Sequence, residues 1–407
     1  MMRAMRPPLP LVAPLLVALL CLSACGGGGG GGNSSSSAPP AVQNTLPMTV
    51  DGGPEDFANL GFVSVTICSP GSSTNCQTID HIQVDTGSSG LRIIASVLSP
   101  GLALPQQTDS AGNALAECAQ FVDGFSWGSV RIADIRLAGE QASSVPIQLI
   151  GDPSFPTIPA SCSNSGPPEN TVATFGANGL LGIGVFVQDC GPACAQNATP
   201  GTYYSCAAGG CVPTQTALAK QLQNPVALFA TDNNGVVLQF PAVPSSGLPS
   251  VTGSLTIGIG TQSDNGLGGA QVLMVDANTG NFVTSYNGRA YPNSYIDAGS
   301  SLLFFEVGAF PLCTGAAGGL YCPATTQNLA ATLQGVNAVN ANVNFSVANA
   351  DQVVAANPSF FAFSNLAGPS GDRSTFDWGL PFFFGRTVFT AIEGRGTPGG
   401  TGPYVAF

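Results

Sequence analysis

Val84-Asp85-Thr86-Gly87-Ser88-Ser89 returns, in altered form, as Ile296-Asp297-Ala298-Gly299-Ser300-Ser301. Each copy puts an aspartate at the end of an apolar, strand-like run, then a glycine suited to a tight turn, then two small hydroxyl residues. One copy alone would be ordinary turn chemistry. Two copies deliver a pair of carboxyls, and paired carboxyls can perform acid and base chemistry on one water molecule.

The rest of the chain suits an all-β protein. Its 407 residues suffice for two domains or one large β domain with a sizeable core. Only 8% of residues are charged, while 53 are Gly and 32 are Pro, a composition of many turns and short strands. Short alternating or apolar runs at 62–67, 81–84, 130–137, 147–150, 236–240 and 255–259 read as strands. The predicted helices are few, at 214–223 and 325–333, and the Pro/Ser/Gly-rich 241–249 is the best internal boundary. Lys220 is the single lysine, and 10 basic residues face 22 acidic ones for a net charge of -12. No basic groove for nucleic acid can be assembled from so few cations.

Residues 1–25 read as an export leader: Arg3 and Arg6 supply the positive start and 9–22 the apolar stretch, which prolines interrupt and which is too short to span a bilayer. Its end, Leu22-Ser23-Ala24-Cys25, resembles the lipobox of bacterial lipoproteins. The resemblance implies lipidation of Cys25 and a membrane anchor. Gly26, rather than Asp, after the cysteine points to the outer membrane, facing the periplasm or the cell surface. Residues 26–46 form a Gly/Ser/Pro-rich tether expected to be disordered.

With Cys21 and Cys25 set aside, Cys68, Cys76, Cys118, Cys162, Cys190, Cys194, Cys206, Cys211, Cys313 and Cys322 remain. An even number in an exported chain suggests disulfides. Cys68 with Cys76 and Cys313 with Cys322 would each close a short loop, and the other partners stay open. A zinc site from Cys190, Cys194, Cys206 and Cys211 is the alternative to a disulfide-pinned loop, which the Gly- and Pro-rich setting favours. No metal and no cofactor are expected. His81, the only histidine, reads as structural. No Gly-x-Ser-x-Gly elbow accompanies it for nucleophilic catalysis.

A second element doubles as well. Gly179-Leu180-Leu181-Gly182 follows the first aspartate, and Phe382-Phe383-Phe384-Gly385 follows the second. In these motifs and their order the chain resembles the pepsin-like aspartic proteases. The resemblance implies a bilobal all-β fold with an N-terminal lobe at 47–245 and a C-terminal lobe at 246–407. Each lobe contributes an aspartate loop and an apolar-apolar-Gly strand beside it, Leu180-Leu181-Gly182 in one and Phe383-Phe384-Gly385 in the other. It also implies Asp85 and Asp297 as the catalytic pair, with Thr86, Gly87, Ser88, Gly299 and Ser300 as supporting loop residues. A flap would be built from 121–128, including Phe121, Gly124 and Trp127. The substrate or ligand would be a peptide or protein, and the chain a monomer held to the membrane by its N-terminal lipid.

Three positions depart from the family pattern. Ala298 replaces a Thr or Ser that locks the lobes together, Phe121 replaces the flap tyrosine, and Arg92 replaces the tryptophan that pairs with it. The first expectation is an aspartic-type endopeptidase. The departures motivate a second, a non-proteolytic envelope lipoprotein of the same fold that binds a peptide, glycan or protein in its cleft.

Overall fold

The computed structural model describes residues 44–407; the leader, Cys25 and nearly all of the tether lie outside them. Thr45 and Leu46, assigned by sequence to the end of the tether, already belong to the strand Thr45–Val50, where Thr45 pairs with Thr256. Their hydroxyl-bearing partner strand gives this polar stretch a ladder to join.

The N-terminal lobe closes on itself. Gly61–Cys68 pairs with Cys76–Asp85, which pairs in parallel with Gly179–Ile183. From there the order runs through Ser89–Ile94, Glu140–Ile150 and Phe125–Leu137, and the last returns to Gly61–Cys68. Closure removes the exposed strand edges. Val65, Ile67, Val84, Leu91, Ile93, Ile135 and Ile147 fill the interior.

The C-terminal lobe is an open seven-stranded sheet in the order Asn340–Val347, Gln327–Gln334, Phe282–Tyr286, Arg289–Ile296, Phe376–Trp378, Leu303–Phe305 and Ala367–Gly368. Its core is aromatic: Phe376 stacks between Phe305 at 4.5 Å and Trp378 at 4.2 Å. Such rings bury large areas each. Between the lobes runs a ribbon of Thr45–Val50, Val251–Ile257, Gly235–Gln239, Thr387–Ala391, Tyr404–Ala406 and Val272–Met274. The stretch 241–249 joins two neighbouring strands of this ribbon. The architecture is two β lobes, a connecting ribbon and few short helices.

Both predicted helices are absent. Residues 214–223 hold only the one-turn Leu218–Lys220, and Gln221 turns inward to donate to Gly191 O and Thr216 O. The second stretch is the strand Gln327–Gln334, where Ala331 and Leu333 face the core two residues apart and Asn340–Val347 supplies the ladder. Period-two burial overrides the helix propensity of its Leu and Ala residues. The four α-helices among the described residues have at most seven residues, and none is long and apolar enough to cross a membrane.

All ten cysteines pair as disulfides: Cys68–Cys76, Cys118–Cys162, Cys190–Cys194, Cys206–Cys211 and Cys313–Cys322. The four-cysteine cluster is therefore spent on two local bridges.

Candidate active site

The strands Cys76–Asp85 and Arg289–Ile296 run to the lobe interface and release Asp85 and Asp297 there, each 2% exposed. The two loops have matching hydrogen bonds. Gly87 N donates to Asp85 Oδ1 at 2.7 Å and Ser88 Oγ to Oδ2 at 2.6 Å. Gly299 N donates to Asp297 Oδ1 at 2.7 Å and Ser300 Oγ to Oδ2 at 2.9 Å. Each carboxyl is thus held in a fixed orientation by its own turn.

Each glycine also makes room for the carboxyl of the opposite lobe. A Cβ on Gly87 would lie 2.8 Å from Asp297 Cγ, and one on Gly299 would lie 2.7 Å from Asp85 Cγ. Only a residue without a side chain permits this approach. Thr86 Oγ1 spans the lobes, accepting from Ala298 N at 2.9 Å and donating to Ile296 O at 3.3 Å. Buried Gln83 adds a second strut, Nε2 to Gly299 O at 2.9 Å. Sequence reading passed over Gln83, although its place two residues before Asp85 in an otherwise apolar strand end was a signal.

The partner strand of the second loop is not the one expected. In the N-terminal lobe Asp85 pairs with Gly182. In the C-terminal lobe Arg289–Ile296 pairs in parallel with Phe376–Trp378, and Asp297 N donates to Trp378 O at 3.1 Å. Gly379, not Gly385, therefore corresponds to Gly182. A Cβ on Gly182 would lie 2.8 Å from Ser88 Oγ, and one on Gly379 would lie 2.6 Å from Ser300 O. Phe383-Phe384-Gly385 instead leads toward the interlobe ribbon, with Phe384 bridged to Phe240 and Gly385 at φ 77°. An uninterrupted apolar run ending in glycine imitated the motif, whereas the true strand contains a carboxylate.

That carboxylate, Asp377, is fully buried opposite Tyr295. Neither of its carboxyl oxygens meets a hydrogen-bond partner among the described residues, although the hydroxyls of Ser300 and Tyr295 lie near enough to favour its charged form. Burial, with the nearby Asp85 charge, pushes its pKa up to about 7. Burial likewise raises Asp297 well above the usual carboxylate range, and the neighbouring Asp85 and Asp377 carboxyls add to this. Asp297 and Asp377 therefore each retain a proton into a range where a free aspartate has lost it.

Asp85 and Asp297 lie in the wall of an interlobe cleft of about 660 Å³. Its roof is the hairpin of Ala114–Gln120 and Phe125–Leu137, whose turn closes with Phe121 N to Gly124 O at 2.7 Å. Phe121 and Val122 reach the cleft, and the Phe121 ring meets Phe175 edge-on at 6.3 Å. Trp127 does not reach it. Its indole is buried away from the cleft, donating to Phe155 O at 2.9 Å and lying edge-on to Tyr204. An indole N–H needs such an acceptor when buried. Arg92 supplies the flap contact that its sequence position seemed to forfeit, because Nη2 bonds Glu117 Oε1 of the flap strand at 2.6 Å. His81 lies elsewhere, 3.2 Å from Asp80 and against the Phe62 ring.

A comparison with curated proteins found no match. Among solved structures, the aspartic proteinase from Irpex lacteus is similar over 89% of this chain and 96% of its own, at 14% identity and a TM-score of 0.45. The family model described as "Protein of unknown function (DUF3443)" matches residues 40–407, a span that includes every described residue. On that match the chain belongs to the DUF3443 family.

Proposed function

We propose that the chain is an aspartic-type endopeptidase that hydrolyses peptide bonds through a water held between Asp85 and Asp297. The observation that carries this reading is the reciprocal approach of the two loops, in which each glycine lies against the other lobe's carboxyl at the wall of a cleft. In the reaction one carboxylate takes a proton from the water as it attacks the scissile carbonyl carbon. The protonated partner gives a hydrogen bond, then its proton, to the developing oxyanion. Collapse of the tetrahedral species expels the amine, which leaves with a proton from the pair. The raised proton affinity of Asp297 suits the protonated role. The leader and the Leu22-Ser23-Ala24-Cys25 sequence support an outer-membrane lipid anchor facing the periplasm or cell surface.

A second reading, cleft binding without cleavage, is favoured by Ala298, which leaves the interlobe lock one-sided. Incubation with a broad peptide library from pH 3 to pH 8, beside Asp85→Asn and Asp297→Asn, separates the two. Cleavage by the unsubstituted protein alone, with a bell-shaped pH profile, is the expected result. Absence of products at every pH, with retained binding of a statine-type inhibitor, would decide for binding alone.

A further inference from the structure

The N-terminal-lobe flank of the cleft contains a charge cluster that the hydrolytic chemistry does not use. Arg92, on Ser89–Ile94, donates from Nη1 to Ser89 O at 3.0 Å and from Nη2 to Glu117 Oε1 at 2.6 Å. Asp189 lies 3.6 Å from the same nitrogen and accepts the Tyr203 hydroxyl at 2.8 and 2.7 Å. The side chains of Arg92, Glu117 and Asp189 are only 3%, 2% and 12% exposed, yet all three residues line the cleft. Two carboxyls therefore share one cation. Among the described residues, Glu117 Oε2 has no hydrogen-bond donor other than a protonated Asp189.

A surplus negative charge in such a place is costly unless a proton or a cation neutralises it. We infer that this flank is a subsite for a cationic side chain of the bound peptide, a primary ammonium or a guanidinium, received by Glu117 Oε2 and Asp189. The inference rests on the cleft being the peptide site. Among the described residues Arg92 is the single basic one lining the cleft, against the carboxyls of Asp85, Glu117, Asp189 and Asp297, so the field there attracts cations as these carboxyls ionise. The groups facing Asp189 are Arg92, Glu117 and Tyr203, from three different strands. Burial, then the Glu117 charge, raises its proton affinity, so in acid a proton fills the role and competes with the ligand. As pH rises that proton is released, and the preference for a cation grows.

The test uses calorimetry on the purified protein with heptapeptides centred on a non-hydrolysable hydroxyethylene unit. Lys, norleucine or Glu is placed in turn at each flanking position. At one position Lys is expected to bind about tenfold more tightly than norleucine at pH 6.5, with a smaller advantage at pH 4. Glu117→Gln and Asp189→Asn, each checked by a thermal melt, should both erase the Lys advantage; if one fails to fold, the other carries the test. Binding of all peptides without a Lys preference, or a preference that survives in a folded variant, overturns the subsite and leaves the peptidase reading standing. Failure of every peptide to bind overturns both.

Discussion

Thr86 and Ala298 are joined across the lobes by one hydroxyl, whose oxygen accepts the Ala298 N–H at 2.9 Å while its proton goes to Ile296 O at 3.3 Å. Ala298 has nothing to return. The symmetric position in the other loop therefore holds no reciprocal bond, and the amide of Gln83 reaches Gly299 O from the same side as Thr86. Both struts start in the N-terminal lobe, so the second loop is positioned by the first.

Removal of the Thr86 hydroxyl leaves the buried Ala298 N–H without an acceptor. Thr86→Ala should cost about 1–3 kcal/mol in denaturant unfolding, and Thr86→Ser should recover most of it. Equal stability of Thr86→Ala and the unsubstituted protein would show that the lobes are held by other contacts.

Gly299→Ala forces a methyl to within 2.7 Å of Asp85 Cγ and must separate the carboxyls. A displacement near 1 Å lowers catalysis by about 100-fold. We expect that loss in peptide cleavage with the thermal melt still cooperative. Unchanged cleavage would mean that the loops open freely and that their close approach is unimportant.

Asp377 sets a direction for the pH dependence of stability. Its ordinary pKa is 3.8 and burial raises it to about 7, so between these values the folded protein holds a proton that the unfolded chain has released. Stability therefore falls as pH rises through this window, by an amount on the order of a few kcal/mol. Asp297 and Asp189, both raised by burial, act in the same sense. Urea unfolding from pH 4 to pH 7 should show a decline, and Asp377→Asn should make it shallower. A flat profile in the unsubstituted protein would contradict the burial of these carboxyls.

The flap strand is tied down at Cys118, whose disulfide to Cys162 closes a loop with a sequence separation of 44. It is also paired along the strand Tyr203–Ala207. The double variant Cys118→Ser with Cys162→Ser should lose about 2–4 kcal/mol of stability. Amide exchange over 118–125 should quicken more than in the rest of the Phe125–Leu137 strand. Uniform quickening across the lobe would argue against a local tether.

Much of the aspartate pair was legible in the chain because its chemistry is local. A strand end, a carboxyl, a glycine and a hydroxyl all lie within five consecutive residues, and the tight turn they form supplies its own hydrogen bonds. The strand that pairs beside the second aspartate was not legible. Phe383-Phe384-Gly385 has the right hydrophobicity, whereas Asp377-Trp378-Gly379 has the right partners, and pairing depends on register with a distant strand. The same holds for the helix predicted over 325–333, which a neighbouring ladder converts to a strand.

The sequence by itself determined the turn chemistry, the doubled carboxyls, the scarcity of cations and the supply of paired cysteines, because each depends on residue type or near neighbours. Tertiary structure alone decided what stands beside the pair. It buries Asp377 in a strand paired with that of Tyr295, brings Arg92 to Glu117 and Asp189, and turns Trp127 away from the cleft. The physical reason is distance along the chain. Desolvation and charge coupling act through space, and the residues that impose them come from strands far apart in sequence.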